Sequence, residues 1–358
     1  MAEIRGMIWF GNSVIRKEII VKSENIRKAE QSFFEKLKEE IGKSKIENFN
    51  LFINKYVPII DAEIKSNGKK QFFSLKTQSI GGESKKHFYE GLLEKFTFSI
   101  PLNFQNTINS QKESLRKQGF NVIFSDSLKT YTRLIIGLGS AHVLETSITL
   151  HHIYGIPYIP ASAIKGVCRM AAYFKIAKNK NILENESKLE NLQKEFYGEL
   201  SFDEDILKYQ LLFGAMNFKG LLLFLDAYPE IRNNHEAFNL FDLDIMNVHY
   251  QKYYGDEKGK ILPGDWEYPN PITFLTLKKG IRFNFIILFD EFRAKKLLEM
   301  EDEKFKNLKI PQNAKELINS FKENDFRDLK EEVKDLLEDA LKNLGVGAKT
   351  RLGYGILE

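Results

Sequence analysis

From Tyr131 onward the chain closes its apolar runs with glycine and proline, and the order of those runs is what most restricts the fold. YTRLIIGLG (131–139) is a β-rich apolar run ended by Gly137 and Gly139, and a loop rich in Gly and Pro follows to Pro160. Residues 161 to about 177 read as a helix. Pro160 and Ser162 supply start signals, and Ile164, Val167, Cys168 and Ala171 recur at helical spacing. KGLLLFLDAY (219–228) and IRFNFIILF (281–289) read as strands, and charged helices fill about 291–344. The terminal GVGAKTRLGYGILE (345–358) is a glycine loop running into a last short strand. Stripped of insertions, the order is strand, helix, strand, strand, helix, strand. That is an α+β, ferredoxin-like (RRM-type) arrangement, a sheet with helices on one face.

Two pieces interrupt this order. An Asn/Glu/Lys-rich stretch at about 178–203 is expected to be a solvated insertion, and 229–278 a second one, with strands at 238–250 and 271–277. Residues 1–125 alternate charged helical stretches (IRKAEQSFFEKLKEEIGKSK; SKKHFYEGLLEKF) with short apolar runs such as 49–60. They are expected to form a mainly helical N-terminal extension, with the core domain at 126–358. A chain of 358 residues exceeds the usual ~100–200 of one domain, so two domains or one with large insertions are expected.

Composition narrows the class. No run of ~18 apolar residues occurs, and the N-terminal MAEIRGMIWFGNSVIRKEII has charges on both sides of a short apolar patch, so neither a membrane span nor a secretory leader is expected. The single cysteine, Cys168, can form no internal disulfide and no cysteine-rich zinc site, which fits a reducing cytoplasm. With 53 Lys and Arg against 49 Asp and Glu, the formal charge of +4 is too small to announce nucleic-acid binding. Any RNA contact needs cations concentrated locally.

Three segments could carry chemistry. In IPYIPASAIKGVCR, Ser162, Lys165 and Arg169 share one face of a helix start, where free N–H groups and the dipole favour an anion; the alternative is a capping Ser beside two solvated cations. In the terminal loop, four glycines in eleven residues allow close backbone approach. Gly347, Lys349, Thr350 and Arg351 either cradle an anion or form a glycine turn before an edge strand. It is not a Walker A loop, because Ala348 and Asn343 stand where glycines are required, and Thr350 breaks the dinucleotide fingerprint. In GLGSAHVLETSITLHHIYG, His142, His151 and His152 match no metal-ligand spacing, and adjacent His151 and His152 would point to opposite faces of a strand. Asp242, Asp244 and His249 come with no nucleophile or paired-metal pattern. No catalytic residue, metal or cofactor is expected.

These segments, in order with KGLLLFLDAYP, LDIMNVHYQKYYGD and NPITFLTLKKG, resemble the sixth-subunit family of the type III-B CRISPR (Cmr) effector complexes, within the RAMP superfamily. The resemblance covers about 131–358 and implies an RRM-like core in a non-catalytic, RNA-holding subunit at the end of the backbone filament. The partners it implies are the 3′ part of the CRISPR guide RNA, the paired target RNA, the repeated backbone RAMP subunit, the small helical subunit and the first Cmr subunit. Gly137, Gly139, Ser140, His142, Ser162, Lys165, Arg169, Gly347, Lys349, Thr350 and Arg351 then become the expected RNA-binding residues. The family helix motif Pro-Gly-Ser-Ser-aliphatic-Lys-Gly is matched at Ser162, Lys165 and Gly166, while Ala161 and Ala163 replace its Gly and second Ser. Helix start and glycine loop are expected to form two sides of one phosphate track, with the last strand beside the strand that feeds the helix. A competing reading is an endoribonuclease that cuts RNA by itself, with His142 or His151 as general base.

Overall fold

The computed structural model describes residues 2–10, 16–42, 48–55, 58–66, 69–74, 89–90, 92–93, 102–140, 142, 144–230 and 240–358. Two units interleave along the chain. The first takes residues 1–100, 137–157 and 235–278, the second 101–136, 158–234 and 279–358.

The first unit departs from the helical expectation. Ala2–Phe10, Arg16–Ser23, Pro58–Ser66 and Lys69–Ser74 form one antiparallel sheet, with Ala2–Phe10 and Pro58–Ser66 at its centre. Helix Ile26–Gly42 lays Ala29, Phe33 and Leu37, four residues apart, against these strands, whose buried side chains include Ile4, Ile19 and Val21. In Ala2–Phe10 and Arg16–Ser23 the buried Ile4, Ile19 and Val21 alternate with exposed Arg5, Glu18 and Lys22, so these strands resemble charged helix in composition. Phe241–Val248 and Asn270–Leu277 pair antiparallel from Phe241↔Leu277 to Val248↔Asn270, close to the two strands expected there. Phe241 packs on Phe49 with ring centroids 4.9 Å apart.

The second unit is built on Arg282–Asp290, whose near-continuous apolar run is buried on both faces. It pairs antiparallel with Phe120–Lys129 on one side and with Leu222–Phe224 and Tyr228–Pro229 on the other. Leu357 bridges Thr130 beyond the first edge, and Ile159 bridges Ala227 beyond the second. Helices Ala161–Asn179 and Arg327–Asp339 pack on one another and on this sheet. The α+β content is as expected.

Several expected boundaries move. The first core strand is Phe120–Lys129, not 131–139, because its half-exposed Asn121, Ser125, Asp126 and Ser127 hide the strand signal. The apolar 134–136 is buried instead by the terminal loop, which hydrogen-bonds along it. KGLLLFLDAY is split into short strands at Phe218–Lys219, Leu222–Phe224 and Tyr228–Pro229. The polar 178–203 stretch contains helix Glu186–Tyr197, capped by Asn185, and buries Leu192 and Phe196, so it is not merely solvated. The division into units also falls differently from 1–125 and 126–358, since 137–157 and 235–278 join the N-terminal part.

Glu332 of Arg327–Asp339 ties three helices of this unit together. Its carboxylate accepts from Lys175 Nζ at 2.7 Å, Tyr209 Oη at 2.6 Å and Lys208 Nζ at 3.2 Å. Burial alone would raise its pKa. The hydrogen bonds from Lys175 and Tyr209 and the Lys208 charge outweigh burial and hold it below the ordinary value of 4.5. A carboxyl with a depressed folded pKa contributes stability above its unfolded pKa and loses it as pH falls through the folded one. Glu332→Gln should therefore cost about 1–3 kcal/mol near neutrality, with the gap to the unmodified chain closing below roughly pH 4.5. Urea unfolding at a series of pH values checks this; a gap independent of pH would contradict it.

Candidate nucleic-acid interface

The expected RNA-binding residues divide between the units. Gly137, Gly139, Ser140 and His142 lie in the first; Ser162, Lys165, Arg169, Gly347, Lys349, Thr350 and Arg351 lie in the second.

In the first unit, Gly137 has φ +78° and lies against Thr149 so closely that a Cβ would strike the Thr149 hydroxyl. Gly139 is open on its Cβ side, and Ser140 is exposed. The Leu144 N–H donates to His142 Nδ1 at 3.1 Å, which leaves Nε2 to carry the proton and donate to Ile53 O at 3.0 Å. With both nitrogens occupied, this neutral ring fastens the segment to the Phe49–Lys55 helix. The expectation that His151 and His152 face opposite ways fails. They lie in a turn, not a strand, and their rings stack 5.2 Å apart, while His151 Nδ1 faces the N–H groups of Ile153 and Tyr154, each at 3.3 Å. Among the described residues no group of His, Cys, Asp and Glu is arranged to hold a metal ion, and no helix is long and apolar enough to cross a membrane.

In the second unit, helix Ala161–Asn179 starts at Pro160 without a side-chain cap from its own sequence. Ser162 is exposed and does not cap. The first N–H, from Ala161, donates instead to Asp226 Oδ1 at 2.7 Å, so the positive end of the helix already faces a carboxylate. Sequence reading overlooked Asp226, which lies four residues before the end of KGLLLFLDAYPE and carries no motif. A phosphate at this helix start would have to displace or repel it.

Lys165, one turn further on, differs from its neighbours. Its ammonium is half-buried and makes no hydrogen bond or ion pair with any described residue. Burial lowers its pKa first, and the charges of Arg169 and Lys219 lower it further. Arg169 is engaged in the fold. Its Nη2 donates to Phe196 O at 3.1 Å and Gly214 O at 3.0 Å, and its guanidinium lies 4.2 Å from the Tyr197 ring centroid. The two cations that share a helix face in sequence thus have different surroundings. Three contacts with turn and helix end hang on Arg169, and none on Lys165.

The terminal loop folds against itself and against 131–136. Val346 N–H donates to Gly355 O at 2.9 Å, Gly355 N–H to Arg133 O at 2.8 Å and Ala348 N–H to Ile135 O at 2.8 Å. Gly347 (φ +97°) and Gly355 (φ +75°) face the Ile135 and Val346 backbones so closely that neither has room for a Cβ. These glycines let the chain approach itself. Between them, Lys349 (φ 59°), Thr350 and the exposed Arg351 hold side chains without a hydrogen bond or ion pair to any described residue, and Gly353 (φ +88°) opens to solvent. The last strand runs beside Phe120–Lys129, the core strand that precedes the helix, with Lys129 and Glu358 exchanging backbone hydrogen bonds at 2.7 and 2.9 Å, whereas the residues immediately before the helix pair elsewhere in the sheet. Leu357 bridges Thr130, Ile159 bridges Ala227, and four inter-strand steps, roughly 19 Å of sheet, lie between them.

The mixed sheets and helices, with cations lacking a described partner at two places in the second unit, are those of an α+β protein. Residues 127–358 match the family model of the RAMP superfamily. A protein of Pyrococcus furiosus, CRISPR system Cmr subunit Cmr6, is 31% identical over an alignment of 361 positions, spanning 87% of this chain and 94% of the relative. This chain belongs to the Cmr6 family of the RAMP superfamily. The crystal structure of Cmr6 from Pyrococcus furiosus aligns with 67% of this chain and 97% of its own, at 32% identity and a TM-score of 0.35. A chain in the cryo-EM structure of the type III-B Cmr-beta complex bound to cognate target RNA aligns at 20% identity and a TM-score of 0.47, covering 77% of this chain and 71% of that one.

Proposed function

We propose that this chain is a non-catalytic, guide-RNA-binding structural subunit of a type III-B CRISPR (Cmr) RNA-targeting effector complex. It holds the 3′ part of the guide at the end of the backbone filament, beside the repeated backbone subunit, the small helical subunit and the first Cmr subunit, with target RNA paired to the guide. The observation that carries the RNA contact is Lys165, a half-buried ammonium with two cations beside it and no acid to pair with. A fold tolerates such a charge where an external anion completes it. Lys349, Thr350 and Arg351 offer a second set of unpaired donors. The order Leu357, Phe120–Lys129, Arg282–Asp290, Leu222–Phe224 is that of a ferredoxin-like sheet, which supports the RRM-type core. Membership of the Cmr6 family supports the complex.

The endoribonuclease reading finds less support. His142 has both ring nitrogens committed within the fold, and a general base must keep one free for the proton it takes.

The test is titration of a labelled single-stranded oligoribonucleotide into the purified full chain at several salt concentrations. Binding should fall steeply with salt and vary little with sequence. Lys165→Ala should weaken it about tenfold for every sequence and reduce the salt slope by about one, whereas Lys304→Ala, an exposed cation elsewhere in the unit, should change it less than about twofold. Equal losses from both variants would leave only net charge at work, and RNA cleavage abolished by His142→Ala would overturn the non-catalytic reading.

A further inference from the structure

Lys219 belongs to no motif, yet the fold fixes it with unusual care. It ends the strand Phe218–Lys219 and stands opposite Gly214 in a two-step ladder with Gly214–Ala215. Two guanidiniums hold this hairpin by its carbonyls. Arg169 donates to Gly214 O at 3.0 Å, and Arg293 donates to Lys219 O and, at 3.3 Å, to Gly220 O while lying 4.7 Å from the Phe218 ring centroid. Gly220 packs so tightly on the backbone of 212–214 that no Cβ would fit. The backbone on either side of Lys219 is thereby pinned, Phe218 is buried beneath Arg293, and the Lys219 side chain points out to solvent.

The anchor that pins it is also the residue one turn after Lys165 on the neighbouring helix. Lys219 is therefore held beside Lys165, close enough that its charge disfavours protonation of the Lys165 ammonium. Neither lysine has a hydrogen bond or ion pair among the described residues. The carboxylate at this helix start, Asp226, accepts from the Ala161 N–H. Two ammonium groups placed side by side by a rigid hairpin, neither paired with an acid among the described residues, form a place for an anion with oxygens on more than one side.

We infer that Lys165 and Lys219 grip one backbone phosphate of the bound RNA between them, with Arg169 and Arg293 positioning the hairpin rather than touching the RNA. The inference rests on the reading of the chain as an RNA-binding subunit. It replaces the helix start, where Asp226 stands, with the lysine pair as the phosphate site.

A double-mutant cycle on the full chain tests it, with a fluorescein-labelled single-stranded oligoribonucleotide as probe and thermal melting of each variant as a check on folding. Lys165→Ala and Lys219→Ala should each weaken binding about tenfold, and the double variant should be only slightly weaker than either, because both lose the same phosphate. Lys219→Arg should restore binding to within about threefold of the unmodified chain, and Lys219→Met, which keeps the length without the charge, should behave as Lys219→Ala. If Lys219→Ala binds normally while Lys165→Ala does not, the clamp is wrong. If the two losses multiply to about a hundredfold, the lysines hold separate phosphates and the shared site is wrong. An unmodified chain that binds no oligoribonucleotide overturns the RNA reading, and the clamp with it.

Discussion

Gly347→Ala is expected to lower the melting temperature of the second unit by roughly 6–12 °C, while Gly353→Ala, six residues on, lowers it by only about 2–5 °C. Both glycines have φ near +90°, so an L side chain is strained at either position by about 1–2 kcal/mol. Their surroundings separate them. A Cβ on Gly353 meets open space, whereas one on Gly347 meets the Ile135 carbonyl, a backbone atom that can yield only by breaking the Ala348 N–H bond it accepts at 2.8 Å. Losing that bond and opening the contact adds about 1–2 kcal/mol. Calorimetric melting of the two variants measures the difference. Equal shifts would mean that the loop is not closed on 131–136, and that its glycines serve a ligand's approach instead of the chain's own.

This contrast shows what the sequence could and could not reveal. The glycine spacing in GVGAKTRLGYG does signal close backbone approach, but the partner of Gly347 in that approach is Ile135, which no linear pattern connects to the loop, while Gly355 closes on Val346 within the loop itself. Strands with a single dominant environment were readable. Arg282–Asp290, buried on both faces, and the pair Phe241–Val248 and Asn270–Leu277 stand close to where their apolar runs place them. Phe120–Lys129 was not readable, since its polar, exposed or half-exposed run Ser125–Asp126–Ser127 reads as loop, and the charged residues of the N-terminal strands read as helix. At the site, Lys165 was visible through helical spacing. Asp226 and Lys219 were not, because each matters only through a tertiary neighbour: the Ala161 N–H for one, the Arg169 anchor for the other.

Arg169, which helical spacing places beside Lys165, is bound into the fold, and its replacement should have one of the largest effects in the chain. Arg169→Ala removes two charge-assisted hydrogen bonds, to Phe196 O and Gly214 O, and the stacking on Tyr197, and it strips both carbonyls of a donor at the point where Glu186–Tyr197 meets the hairpin. Bonds to charged groups contribute about 1.5–3 kcal/mol each and a ring contact ~1, and because they are not additive a total near 3–4 kcal/mol is expected. For a unit of this size that is a drop of roughly 6–14 °C in melting temperature. Arg169→Lys should recover little of it, since a single ammonium cannot reach both carbonyls and lie flat on the ring as the planar fork does. A residue that touches phosphate would behave the other way. Lysine would largely substitute for it, melting would scarcely move, and the salt slope of RNA binding would fall by about one on replacement by alanine. Melting and salt-titration curves for Arg169→Ala and Arg169→Lys therefore decide between a strut and a ligand. A stable Arg169→Ala chain with weakened RNA binding would return Arg169 to the phosphate site, whereas a destabilised one, with Arg169→Lys no more stable, fixes it as the residue that holds Lys219 in place.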